Sequence, residues 1–238
     1  MPDLRTDAGS FVRNPSRGEP PLAEPALGDL RFRALLADED WASLPQPIRR
    51  RFSKRLADGN TVVYVGEVIE TFMSKAGWLL AKLACLIGGP LPTSREAGVP
   101  SVVTVTEDRA TGGQIWTRLY ARRKGFPQII QSSKRFAGPT GLEEYLGYGI
   151  GMALTVHVED RALLFRSAGY FLRLGGLRLV LPNWASPGAL TVTHGEIGDG
   201  RFLFRLDLAH RRLGTLMRQS AVFREAIALD FIQPWRAP

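Results

Sequence analysis

Any chemistry in this 238-residue chain has to come from a few charged and aromatic side chains, because the usual ligand and nucleophile patterns are missing. His157, His194 and His210 fall in no H-x-x-x-H or HExxH arrangement, and no cysteine lies near them. Zinc needs three or four closely grouped ligands, so no metal site is expected. No G-x-S-x-G elbow supports a nucleophilic serine. Gly112-Gly113 and Gly175-Gly176 read as hairpin turns rather than phosphate loops.

The most suggestive constellation surrounds Lys124-Gly125. With those two residues as a turn, Trp116 faces Ser133, Arg118 faces Gln131 and Tyr120 faces Ile129. One face then gathers Trp116, Arg118, Tyr120, Gln131 and Ser133, the mixture of aromatic walls and fixed polar groups that a ligand cavity uses. The alternative is an exposed face with an arginine lying on aromatics. Glu144 shares a face with Leu142 and Leu146. If that face is buried the carboxylate needs a partner, and Arg118 is the natural one, in either a structural or a catalytic pair. Glu67 shares its face with Val63, Val65 and Ile69 and is a further inward candidate. At Asp199-Gly200 a two-residue turn pairs Ile197 with Phe202 and Gly195 with Phe204 on an apolar face. His194 and Arg205, with Glu196 diagonal, then share the other face, either as a polar site or as the solvent side of the hairpin with a weak exposed ion pair.

Those residues need a scaffold of strands. From Ser101 onward, short alternating β-branched and aromatic runs follow one another with turn signals between them, which predicts antiparallel sheet. Thr61–Phe72 predicts an earlier strand. Leu30–Leu56 predicts two helical pieces interrupted at Pro45 and Pro47, with Phe32, Ile48, Phe52 and Leu56 on apolar faces. Between these, Ser74 is placed to cap a helix over Lys75–Ile87 that ends at Gly88-Gly89. That helix is apolar on most sides, so it is expected to pack over the sheet with Trp78, Leu79, Leu83 and Leu86 buried. Cys85 is expected to be a small buried hydrophobe.

Composition sets the outer limits. Hydrophobic residues make up 45% and charged residues 23% of the chain, enough apolar material for one large core. Residues 1–28 are rich in Pro, Gly and charge without periodicity and are expected to form a flexible tail, leaving 29–238 as a single β-rich domain. The net charge of +8 invites an acidic partner, yet the arginines are scattered and no nucleic-acid-binding motif accompanies them, so no nucleic acid partner is expected. The most apolar run, Ala76–Ile87, is too short to span a membrane. No secretory signal opens the chain, and a cytoplasmic location is expected.

The runs IWTRLYARRKGFPQIIQSS, GLEEYLG, GGLRLVLPNWASPG, GEIGDGRFLFRLDL and RRLGTLMRQ, in this order, resemble the bacterial domain-of-unknown-function family 4166 over roughly Leu30–Phe223. The resemblance singles out Trp116, Arg118, Glu144, Gly147, Pro182 and Glu196. It carries no established activity. Family domains stand alone or follow a saccharopine-dehydrogenase-like module, and since no GxGxxG follows a first strand here, no dinucleotide site is implied. The sequence departs from the family pattern at Arg211, Arg212 and Gln219, where a Pro and a Tyr are usual.

The expectation is therefore an α+β, β-rich fold: a curved antiparallel sheet or barrel with an N-terminal helical segment and a helix covering the sheet. The leading function is binding of a small apolar molecule in a barrel-like cavity without a cofactor. The alternatives are a cofactor-free isomerase, cyclase or lyase in the same cavity, with Glu144 and Arg118 catalytic, and an interaction module with no pocket.

Overall fold

The computed structural model of the chain describes residues 29–54, 56 and 60–226, so the tail expected over 1–28 lies outside the described residues. Period-two alternation of apolar residues has the consequence the sequence implies. Eleven strands form: β1 Val62–Met73, β2 Val99–Asp108, β3 Gly113–Tyr120, β4 Gln128–Arg135, β5 Glu143–Gly147, β6 Ile150–Glu159, β7 Ala162–Leu174, β8 Leu177–Val180, β9 Ala189–Gly198, β10 Arg201–His210 and β11 Gly214–Glu225. Every neighbouring pair is antiparallel. The order β6-β5-β4-β3-β2-β1-β11-β10-β9-β7, with β6 also paired to β7, closes ten strands into a barrel. Closure leaves no open edge between these ten.

β7 is forked. Its lower half, Leu163–Arg166, pairs with β9, whereas its upper half, Phe171–Leu174, pairs with the short outrigger β8. Between the upper ends of β7 and β9 the ladder is replaced by the segment that follows β8, with a 3-10 turn at Asn183–Ala185.

The N-terminal helices α1 Asp38–Ser43 and α2 Gln46–Phe52 plug the base of the barrel. Phe32, Trp41, Leu44, Ile48 and Phe52 are all 3% exposed or less. Phe32 meets Phe52, Phe136 and Phe165 edge to face, with centroids 4.9–5.9 Å apart, a geometry that ring quadrupoles favour.

Helix α3, Lys75–Ala84, follows β1 at the opposite end, the rim, and continues into a 3-10 turn at Cys85–Ile87. Ser74 caps it as expected, its Oγ accepting from the Gly77 N–H at 3.0 Å. The buried face differs from expectation. Trp78, Leu79, Leu83 and Leu86 are 43–80% exposed, and Cys85 is exposed too. Gly77, Ala81 and Ala84 are buried instead. The reason is close approach to β11: a Cβ added to Gly77 would lie 2.0 Å from the Leu216 carbonyl oxygen. At that separation only small residues fit, and the large ones turn outward.

Gly77→Ala is expected to dislodge α3 and destabilise the fold by about 1–3 kcal/mol, the usual cost of overpacking. Leu83→Ala, on the exposed face, should change stability by less than about 0.5 kcal/mol. Urea melts compare the two, and the reverse order would refute this docking.

Candidate functional site

Most inward positions of the barrel are apolar, and among the described residues the charged ones gather in a layer at mid-height contributed by β3, β4 and β5. Arg118 comes from β3, Ser132 and Lys134 from β4, and Glu144 from β5. The register sets this, pairing Trp116 with Ser132, Arg118 with Ile130, and Lys134 with Glu144. The Glu144 carboxylate accepts from the Ser132 hydroxyl at 2.6 Å and from the Lys134 ammonium at 2.9 Å. Arg118 lies 3.5 Å from it and donates to Ser132 Oγ at 3.2 Å. The Lys134 ammonium is 5.1 Å from the centre of the Trp116 ring.

Burial alone would raise the pKa of Glu144. The Lys134 and Arg118 charges and the two hydrogen bonds outweigh it and bring the carboxyl down to about 2. Burial pushes the Lys134 pKa below its ordinary range, with Glu144 opposing. Beneath this layer His194 is 3% exposed, ringed by Phe52, Trp116, Phe165, Phe202 and Phe204. Burial, then the neighbouring Arg51, Lys134 and Arg118 charges, holds its pKa well below the usual imidazole range, so it is neutral. Its Nδ1 has no hydrogen-bond partner.

Above the charged layer lies a cavity of about 270 Å³. Tyr120, Ile130, Met152, Tyr170, Val192 and Phe204 form its walls. Leu80 and Ala84 of α3, Ile87, Leu91, Leu181 and Ala185 line its upper part. Apart from Arg118, Ser132, Glu144 and the two tyrosine phenols, every lining side chain is apolar.

The sequence reading named seven site residues, and they separate into two groups. Trp116, Arg118, Tyr120 and Glu144 all point into the barrel, and Arg118, Tyr120 and Glu144 line the cavity. Gln131 and Ser133 do not. The β3–β4 connection runs from Ala121 to Pro127 rather than being a two-residue turn, which moves the pairing by one residue and so exchanges faces. Gln131 is exposed and bonds Thr117, and Ser133 bonds Asp108 outside. Ser132 and Lys134 take their places, and a one-residue change of register was the signal needed to find them. Glu67 is also exposed, since Tyr64 and Val68 are the buried positions of β1.

His194 moves for a similar reason. Asp199 and Gly200 turn with φ of 53° and 68°, and the register then slips between Arg201 and Phe202. This bulge pairs His194 with Phe204, inside, where an unbroken hairpin had placed it outside with Arg205. No group of three or more His, Cys, Asp or Glu side chains able to hold a metal occurs among the described residues. None of their helices is long and apolar enough to cross a membrane.

Glu144→Gln removes the carboxylate that two buried cations share and should cost about 3–5 kcal/mol at neutral pH. The sign with pH follows from the depressed pKa. Glu144 in the unfolded chain takes a proton near its ordinary 4.5 and in the folded chain only near 2. Its stabilisation is therefore full above the unfolded value and declines as pH falls toward the folded one. Denaturant melts between neutral pH and pH 3 should show a shallower acid decline for the variant. An unchanged slope would disprove the coupling.

No curated protein matches this chain. The family model for a domain of unknown function (DUF4166) matches residues 44–223, which takes in ten complete strands and most of β11, and the chain belongs to that family.

Proposed function

We propose that the barrel binds a small, mostly apolar molecule with one acidic end, its body in the cavity and its head at Arg118, while α3 covers the cavity's upper end. The observation that carries this reading is the distribution of polarity. The cavity walls are apolar but for the Tyr120 and Tyr170 phenols, and the charged groups Arg118 and Glu144 converge with Ser132 at a single end. A few fixed polar groups in an apolar pocket orient a ligand.

Charge gives the sign of that end. Arg118 and Lys134 are cations and Glu144 is the one carboxylate they pair with. The layer thus holds one positive charge in excess, away from water, where an uncompensated charge is costly. A carboxylate at the cavity floor would relieve it, and a guanidinium fork suits such a head geometrically. Size points to about nine methylene-sized groups, taking roughly 30 Å³ for each as liquid packing gives a water.

The same geometry weighs against the catalytic alternative. A general base works best with a pKa near the operating pH, whereas Glu144 is held down at about 2 with both its oxygens hydrogen-bonded. Its carboxylate serves the pocket as a fixed charge.

Decanoic acid is a suitable probe, with 1-decanol as its neutral counterpart, both titrated calorimetrically into delipidated protein. Decanoic acid should bind at least tenfold more tightly than the alcohol. Arg118→Met, checked for folded fraction, should abolish that preference, and Arg118→Lys should lose part of it because the ammonium lacks the planar fork. Equal binding of acid and alcohol by the unaltered protein would rule out an acidic end, and binding of neither would rule out the apolar-ligand reading.

A further inference from the structure

The rim of the barrel carries a second, separate pattern. Strand directions put six connections there: the segment 74–98 containing α3, and the segments 121–127, 148–149, 175–176, 181–188 and 211–213. They adjoin one another. Gln128 bonds the Leu91 carbonyl and the Thr93 N–H, and Arg122 bonds Thr93 Oγ1. Gly88 approaches Tyr148 and Leu146, and Gly149 packs on Arg173. Gly188 packs on Ala209 and His210.

Large apolar side chains stand outward from these segments. Leu86 is 80% exposed, Phe126 92%, Tyr148 78% and Trp184 85%. Leu79 and Leu83 on α3, Leu177 at the β8 tip and Leu213 are each at least 55% exposed. Single exposed hydrophobes are ordinary, but a group of them around one opening marks a contact surface. At the described base segments Leu30 is half exposed, but the large side chains Phe32, Trp41, Leu44, Ile48 and Phe52 are inside.

The charges of the two ends differ as well. The six rim connections contain eight Lys or Arg residues and one acid, Glu96, and Glu96 is already bonded by the Arg123 N–H. The described segments at the base contain eight basic and six acidic residues. The basic excess therefore belongs to the apolar end.

From this combination we infer that the rim is a docking surface for an anionic lipid bilayer, with Leu83, Leu86, Phe126 and Trp184 entering the interface and Lys82, Arg122 and Lys124 meeting acidic headgroups. Apolar side chains interleaved with Lys and Arg are what interfacial binding requires, and aromatic rings favour the depth where headgroups meet acyl chains. The alternatives fit the chemistry less well. A second copy meeting this rim through a two-fold axis would set basic charge against basic charge. Nucleic acid would answer the charge and leave the leucines in water. The described chain begins and ends at the base, where Asp29 bonds Ser53 and Ala226 bonds Val63. The surface lies outside the cavity: Leu83, Leu86, Arg122 and Lys124 do not line it.

The test is co-sedimentation with phosphatidylcholine vesicles, with and without about one-third phosphatidylglycerol, at low and high salt. The protein should bind the anionic vesicles at least tenfold more tightly than the neutral ones, and less tightly at high salt. The paired change Leu83→Glu with Leu86→Glu should abolish binding, as should Arg122→Glu with Lys124→Glu. Arg109→Glu at the base should not. All these variants should keep the decanoic acid affinity of the unaltered protein in the absence of vesicles, so loss of docking is read separately from loss of the ligand site. Three results would overturn the inference: no binding to either vesicle, equal weakening by Arg109→Glu, or a dimer in sedimentation velocity that Leu83→Glu dissociates.

Discussion

A carboxylate inside a closed barrel is tolerable only when its lone pairs are filled, and the filling of Glu144 organises the interior above and below it. Its donors come from the strand next to it and its third neighbour from the strand beyond, so β3, β4 and β5 are held in one register by one acid. Removing water from Lys134 and Arg118 is costly, and Glu144 offsets much of that cost. Below the layer burial, reinforced by Arg51 and the same two cations, keeps His194 neutral, which lets an imidazole sit among phenylalanines. Above it the barrel need not be filled, because the polar groups are already satisfied from the side. The interior thus divides into a packed lower half and an open upper half.

Much of the fold was legible in the sequence because strands and turns are local. Alternating Val and Thr in 101–107, the Asp199-Gly200 turn and the Ser74 cap all appear where their chemistry puts them. Membership of the family was legible in ordered runs of residues. Register was not. Seven residues between β3 and β4 read like a short turn around Lys124-Gly125, and a single residue of slip exchanged Gln131 and Ser133 for Ser132 and Lys134. The bulge after Arg201 did the same to His194. Closure was equally hidden, since β6–β7 and β7–β9 pairings are both plausible locally and only the whole ring selects both.

Helix α3 shows a different limit. Hydrophobicity ranks its residues by size, so Leu83 and Trp78 read as the buried face. Packing distance ranks them the other way, since the backbone of β11 comes so near that only a glycine fits at position 77, and Ala81 and Ala84 are the other buried positions. Small residues are weak signals on any hydrophobic scale, although they are what permits close approach. The same helix therefore presses small residues on the sheet, turns Leu80 to the cavity and leaves its other large residues at the rim.

The fork in β7 governs how quickly the interior communicates with its surroundings. Elsewhere around the ring, parting two strands means rupturing consecutive ladder bonds, a sub-global opening with a large share of the total stability behind it. Between the upper parts of β7 and β9 there are no such bonds to rupture. The segment around Trp184 spans the seam, the Leu190 N–H bonds Ser167 Oγ, and a groove of about 670 Å³ lined by Ser167, Tyr170, Leu181 and Gly188 opens beside it. That segment is tied to β7 at one end by the Leu181 N–H bond to the Tyr170 carbonyl. Passage through this seam would therefore break no β7–β9 ladder bond, unlike passage between any other neighbouring strands of the ring.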